Sequence, residues 1–128
     1  MRLNHVALVC SSEQRADDFY EGLLGLRKIK SSVLGKDLAE QIFEIPRECP
    51  ILLYGNDNFA VEVFVANRAP GSASPFVHLC MEVRNREEFL GKCEAMGLTV
   101  KRVPKGDFLL TFVQDYDGNL FEIKELAA

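Results

Sequence analysis

Four side chains of the kinds that bind divalent metals recur at matching places in the two halves of the sequence. The first half contains His5 in LNHVALV and Glu62 in FAVEVFV, and the second contains His78 in FVHLCMEV and Glu122 in NLFEIKE. Imidazole nitrogens and carboxylate oxygens together suit Ni, Co, Zn, Mn or Fe(II). A carboxylate among apolar strand neighbours is also unfavourable unless it is paired or bound to a metal. The pattern therefore predicts a metal site, against the plainer interpretation of structural histidines and a solvent-facing Glu62.

Each half of the chain has the pattern of one strand, one helix and three further strands. In the first module, residues 1–66, an alternating strand over 3–9 precedes a helix that we expect Ser11 to cap and Gly25 to end. In the second module, residues 76–128, a strand over 76–83 precedes a helix capped by Asn85. His78 follows His5 by 73 residues and Gly97 follows Gly25 by 72. This internal repeat is the main sequence evidence for the fold.

The rest of the chain fits the same scheme. Residues 36–48 form an insertion of the first module, predicted as a short helix capped by Asp37, with a strand as the alternative. Residues 67–75 (NRAPGSASP) are predicted as the linker. We expect one α+β domain over residues 1–128, in which two tandem βαβββ modules form a curved mixed sheet. Strand alternation places His5 with Ala7, and Glu62 with Phe64, on the face opposite the helices. The metal-binding side chains should therefore lie on the concave face.

Composition narrows the class of protein. The 128 residues are 48% hydrophobic and 27% charged, which is typical of a globular domain. A net charge of -4 argues against a nucleic-acid surface, because a phosphate backbone requires clustered positive charge. No signal-peptide pattern and no apolar run long enough for a membrane span is present. The four cysteines lack CxxC spacing, so we expect reduced thiols and a cytoplasmic location.

Other side chains have two interpretations each. The basic stretches after the two helices, which contain Lys28, Arg102 and Lys105, are either clamps for an anionic substrate tail or solvated strand edges. Cys80 is expected on the same strand face as His78. It is either a residue that lines the pocket or a small core-like residue. Phe64, Leu110 and Phe112 are either walls of an apolar pocket or ordinary core residues.

The repeated module resembles the vicinal oxygen chelate superfamily, which includes glyoxalase I, methylmalonyl-CoA epimerase, extradiol dioxygenases and the fosfomycin and bleomycin resistance proteins. The resemblance covers nearly the whole chain. It is carried by the stretches LNHVALV, DDFYEGLLGLRKI, AVEVFV, FVHLCMEV and DYDGNLFEIKE.

The resemblance implies a metal-ligand set. In the family the metal is bound by histidines of the first and fifth strands and carboxylates of the fourth and eighth, and those places hold His5, His78, Glu62 and Glu122. The set is similar to that of short bacterial glyoxalase I. It implies one divalent ion per site, Ni, Co or Zn with Mn or Fe as further possibilities, and a homodimer.

The resemblance also implies a reaction. A substrate with adjacent oxygens would bind the ion, which would polarise a carbonyl and stabilise an enediolate while Glu122, or else Glu62, removes the neighbouring proton. Val9 and Ala66 stand where glyoxalase I commonly has an arginine and an asparagine that bind glutathione. The metal ligands of this chain therefore match glyoxalase I, whereas the glutathione-binding residues do not. The alternatives are an epimerase that acts on acyl-CoA and a metal-free sequestering protein of the bleomycin-resistance kind.

Overall fold

The computed structural model describes residues 1–67 and 76–127. The chain divides into two compact units, residues 1–69 and 70–128, and each unit contains its own four-stranded mixed sheet. The predicted linker lies outside the described residues from position 68 onward. In the part of the chain that is described, no helix is both long and apolar enough to cross a membrane.

The first unit has the expected strand, helix and three strands, with one additional helix. Its elements are β1 (Val6–Cys10), α1 (Glu13–Ala16) continued as a π-helix (Asp17–Leu23), β2 (Arg27–Leu34), α2 (Lys36–Phe43), β3 (Cys49–Gly55) and β4 (Ala60–Val65). The strands lie in the order β1-β4-β3-β2. β1 pairs with β4 in parallel, and the other two pairings are antiparallel.

The second unit repeats this topology. Its elements are β5 (Leu79–Val83), α3 (Arg86–Ala95), β6 (Val100–Lys105), β7 (Phe108–Gln114) and β8 (Leu120–Glu125). The order β5-β8-β7-β6, with β5 parallel to β8, matches the first sheet strand for strand. The α+β class and the repeated strand-helix-three-strand order predicted from the sequence are confirmed.

The strand starts and helix caps show where local prediction was wrong. His5 and His78 each lie one residue before their strand rather than inside it. Ser12, not Ser11, caps α1, because the Ser12 side chain accepts the backbone N–H of Arg15 at 3.1 Å.

The second-module helix and the glycines behave as predicted. Asn85 caps α3 by accepting the N–H of Glu88 at 3.0 Å. Gly25 and Gly97 adopt φ of 71° and 76°, which favours glycine after a helix. The insertion does form a helix, α2, but it begins after Gly35, and Asp37 lies within its first turn instead of capping it.

The core of the first unit lies between its sheet and its first helix. Val61 and Val63 of β4 are fully buried, whereas Glu62 between them is partly exposed, so the predicted alternation is confirmed. The buried rings of Tyr20 and Tyr54 lie 5.4 Å apart. Packing of one apolar sheet face against the helix therefore leaves the opposite face of β4 available for Glu62.

The two sheets differ in one ladder. In the first unit β3 and β4 pair from Gly55 opposite Ala60 as far as Ile51 opposite Phe64. In the second unit the β7–β8 pairing stops at Phe112 opposite Glu122. Beyond that point the buried hydroxyl of Thr111 donates to the carbonyl of Ile123 at 2.6 Å. A side-chain hydrogen bond thus replaces the backbone ladder next to Glu122.

Candidate metal centre

The first unit brings His5 and Glu62 together. β1 and β4 are parallel neighbours, and Ala7 lies opposite Glu62. The start of β1, which His5 directly precedes, is therefore beside the carboxylate. His5 Nε2 lies 3.6 Å from Glu62 Oε1, and their side chains are 36% and 27% exposed. Both side chains remain accessible to a ligand from solvent.

The second unit contains an equivalent pair. His78 Nε2 lies 3.7 Å from Glu122 Oε1, with the side chains 40% and 19% exposed. Cys80 is opposite Glu122 in the parallel β5–β8 pairing, as Ala7 is opposite Glu62. The repeat seen in the sequence is therefore also a repeat of side-chain geometry, and each predicted histidine faces its predicted glutamate.

Each histidine is oriented through its second ring nitrogen. Nδ1 of His5 lies 2.7 Å from Oδ1 of Asn4, and Nδ1 of His78 lies 2.9 Å from the carbonyl oxygen of Phe76. With Nδ1 next to such an oxygen, Nε2 is the ring nitrogen directed towards the carboxylate. This arrangement is typical of metal-binding histidines, whose other ring nitrogen donates to an oxygen.

The donors of each pair fit a divalent ion. The separations of 3.6 and 3.7 Å exceed a hydrogen bond and are short enough for one ion, at ~2.1 Å from each atom, to bind both members of a pair. In residues 1–67 and 76–127 no group of three or more His, Cys, Asp or Glu side chains is placed to hold a metal ion. Each unit therefore supplies two donors.

The neighbours of the pairs include the predicted aromatic walls. The rings of His78 and Phe112 lie 6.4 Å apart, edge to face. Phe64 is on the Glu62 face and contacts Phe43 of α2 at 5.4 Å between ring centroids. The inserted helix α2 thus packs, through Phe43, on the sheet face that carries the first pair.

Cys80 is exposed, which excludes the predicted core-like role. Partial burial of the thiol group, with a contribution from the Glu122 carboxylate, raises the pKa of Cys80. The thiol is therefore the form expected at neutral pH in the metal-free protein, and a free thiolate nucleophile is disfavoured.

The basic residues divide into two groups. Lys28 binds Glu13 at 2.7 Å and Asp17 at 2.8 Å, and Arg102 binds Glu94 at 3.0 Å and Glu87 at 3.3 Å. These cations connect the second strand of each unit, which lies at the sheet edge, to the preceding helix, and this argues against the predicted substrate clamp for Lys28 and Arg102.

Asp17, Lys28 and Tyr54 interact in the first unit, and the directions of their pKa shifts agree with these contacts. Burial acts to raise the pKa of Asp17, but hydrogen bonds from Lys28 and Tyr54 outweigh it and hold this pKa below its usual value. The same hydrogen bonds to Asp17 and Glu13 raise the pKa of Lys28. Burial and the bond to Asp17, 2.7 Å long, raise the pKa of Tyr54.

Lys105 has a different position. It lines a pocket of about 410 Å³ in the second unit. The pocket adjoins the interrupted β7–β8 ladder, and Glu122 forms part of its wall. The other lining residues are Arg86, Phe108, Leu109, Leu110, Thr111, Ile123 and Lys124.

Sequence reasoning missed Asn4, Arg86 and Lys124. Asn4 adjoins His5 in sequence, and a side-chain oxygen beside a candidate ligand is a signal that could have identified it. Arg86 and Lys124 gave no such signal, because their relation to Glu122 depends on the gap between β7 and β8.

Comparison with known proteins agrees with this architecture. The family model described as the Glyoxalase/Bleomycin resistance protein/Dioxygenase superfamily matches residues 2–123. No curated protein matches the chain significantly. A glyoxalase family protein from Enterococcus faecalis is similar in structure, with a TM-score of 0.70, 22% identity and coverage of 95% of both chains.

Two structures of the fosfomycin resistance protein FosX from Listeria monocytogenes are also similar. One has a TM-score of 0.73 at 13% identity and covers 99% of this chain and 94% of FosX. The other, complexed with Mn(II) and sulfate, has a TM-score of 0.70 at 16% identity and covers 98% and 93%. At these identities the likeness shows the fold alone.

Proposed function

The chain belongs to the glyoxalase/bleomycin resistance protein/dioxygenase superfamily, and on that premise we propose that it is a divalent-metal-dependent lyase or isomerase of the glyoxalase I type. The observation that carries the proposal is the repeated pair, in which the Nε2 atom of a histidine faces a glutamate while Nδ1 is held by an oxygen. Two copies of this arrangement supply the two imidazoles and two carboxylates that suit Ni, Co, Zn, Mn or Fe(II).

His5, Glu62, His78 and Glu122 would together hold one ion per site, with the two modules contributed by one chain or by two chains of a homodimer. A bound ion would supply Lewis-acid polarisation of a substrate carbonyl. The Mn(II) complex of FosX, whose fold is similar, supports a divalent ion in this chain. Asn4 and the Phe76 carbonyl orient the two imidazoles through Nδ1.

Glu122 is the proposed base. Its carboxylate is the less exposed of the two glutamates, at 19% against 27%, and it lines the second-unit pocket where a substrate carbon could approach. Glu62 is the competing base, because its relation to His5 is nearly the same.

The test combines metal analysis with hydrogen exchange. The purified protein is loaded with each divalent metal, and the loss of the α-proton in D₂O is followed by NMR for hemithioacetals of 2-oxo aldehydes and for acyl-CoAs. Metal-dependent exchange with hemithioacetals supports the proposal, and exchange with acyl-CoAs alone assigns an epimerase instead. Absence of both metal binding and exchange would indicate a sequestering protein.

Two variants test whether the exchange depends on the carboxylate of Glu122. Glu122→Gln keeps the size of the side chain and one ligand oxygen but removes the basic carboxylate. Glu48→Gln removes an equal charge from an exposed position before β3 and should match the unsubstituted protein. Sedimentation of the same samples tests the homodimer, and a monomer at micromolar concentration would contradict it.

A further inference from the structure

The pocket beside Glu122 lies where the backbone pairing of β7 and β8 stops. Beyond the last pair, Phe112 opposite Glu122, Thr111 connects the strands through its hydroxyl. The first-unit ladder continues through the equivalent positions, Ile51 opposite Phe64. The two modules therefore differ in backbone pairing at the place where the pocket lies.

Three cations surround this opening in a protein whose net charge is -4. Arg86, Lys105 and Lys124 line the pocket together with a single carboxylate, Glu122. Arg86 and Lys124 are not dictated by the repeat, since the corresponding positions of the first module hold Glu13 and Phe64. These two positive charges are therefore particular to the second module.

The cations of the pocket are available to a ligand. Lys92 and Arg102 of the same unit bind helix carboxylates, whereas Lys105 and Lys124 have no salt bridge to any residue of the described ranges. One guanidinium N–H of Arg86 donates to the carbonyl of Leu109 at 3.1 Å, which fixes the side chain at the opening. Arginine has five N–H donors, so most of them remain for another acceptor.

The rest of the lining sets the size and character of a ligand. Phe108, Leu109 and Leu110 give the pocket an apolar wall, and its volume of about 410 Å³ is in the range of small-molecule sites. Cationic groups around an apolar wall suit a molecule with an anionic end and a short carbon skeleton. Glu122, which lies 3.7 Å from His78, is also a lining residue of this pocket and connects it with the proposed metal ligands.

We propose that the second-unit pocket binds the oxyanion group of the substrate, a carboxylate, phosphonate or phosphate, through Arg86, Lys105 and Lys124. The assignment to a substrate rests on the proposed function, but anion binding itself does not require the metal. Lys105 and Lys124 act as point charges, and Arg86 contributes directed hydrogen bonds.

The experiment measures anion binding to the protein after removal of divalent metals with a chelator. Inorganic phosphate and, separately, propionate are titrated at constant ionic strength while amide chemical shifts are followed by NMR. The expected result is millimolar binding of at least one of the two anions, with shifts concentrated at residues 105–111 and 122–124. Which anion binds more tightly distinguishes a phosphate or phosphonate substrate from a carboxylate.

Variants decide whether the pocket is responsible. Lys105→Met and Lys124→Met should each weaken binding about 3- to 10-fold, as expected for loss of one charge-assisted contact. Lys101→Met is the matched control, because it removes the same charge from β6 but does not line the pocket. It should stay within about twofold of the unsubstituted protein.

Equal weakening by Lys101→Met and Lys105→Met, or no binding of either anion, would overturn the proposal. Anion binding at the pocket in a protein that takes up no divalent metal would instead contradict the proposed function alone. The two failures are therefore distinguishable in one set of samples.

Discussion

Replacing Thr111 with valine removes the hydroxyl that connects β7 to β8 and leaves the molecular shape almost unchanged. The hydroxyl is fully buried and donates to the Ile123 carbonyl over 2.6 Å, so the variant buries a carbonyl without its partner. An unsatisfied buried acceptor costs about 1–3 kcal/mol. The added methyl group returns up to ~0.8 kcal/mol of apolar burial. We therefore expect the free energy of unfolding to fall by about 1–2 kcal/mol.

The assay is urea denaturation followed by far-UV circular dichroism, with the slope against urea expected to stay constant because the buried surface is unchanged. Thr111→Ser is the matched control, since it keeps the hydroxyl and removes only a methyl group. If Thr111→Val is as stable as the unsubstituted protein while Thr111→Ser is destabilised, methyl packing rather than the hydroxyl joins the strands. That result would refute our account of the interrupted ladder.

Three further predictions use other contacts. Tyr54 donates its hydroxyl to the Asp17 carboxylate, so Tyr54→Phe should lower the free energy of unfolding by about 1–2 kcal/mol in urea denaturation. The hydroxyl of Tyr116 donates to a neutral carbonyl at 3.2 Å, so Tyr116→Phe should lower it by less than about 1 kcal/mol. The pKa of Asp17 is lowered in the folded state, so ionised Asp17 stabilises the fold above its unfolded pKa of ~3.9, and this effect is lost as pH falls through the lower folded pKa. The stability difference between Tyr54→Phe and the unsubstituted protein should therefore shrink in that acidic range. A stability difference that does not depend on pH would contradict this role of Asp17. Glu122→Gln should keep its metal while α-proton exchange slows by roughly 10²–10⁴-fold; if Glu62→Gln alone slows exchange, the roles of the two glutamates are reversed. Gly25→Ala should destabilise by about 1 kcal/mol in thermal denaturation, since a Cβ there meets no atom within 4 Å and only the φ of 71° opposes it; an unchanged melting temperature would contradict that reasoning.

The topology was predictable because its signals are repeated. Alternation over β4 and β8 predicted that Glu62 and Glu122 lie opposite the buried valine, phenylalanine and isoleucine side chains, and the structure confirms it. Which glutamate each histidine faces was not predicted, because it depends on the parallel pairing of β1 with β4 and of β5 with β8. The gathering of all four into one site remains a proposal.

Other features depend on which of several possible contacts a residue makes, and the sequence does not reveal this. Ser11 and Ser12 are both acceptable caps, and only the backbone conformation at Ser12 selects it. Arg102 was a candidate substrate clamp until the structure placed two glutamates of α3 beside it. The pocket at Glu122 depends on the loss of a few backbone pairings, which no periodicity in β7 or β8 predicts.

Metal content measured by mass spectrometry tests the central claim most directly. After incubation with Ni, Co, Zn or Mn and removal of excess metal, the unsubstituted protein should retain one divalent ion per site, and the His5→Ala/His78→Ala double variant should retain almost none. Circular dichroism would establish that the double variant is folded. Full metal content in the folded double variant, or no uptake of any of these metals by the unsubstituted protein, would contradict the assignment of these residues as a metal centre.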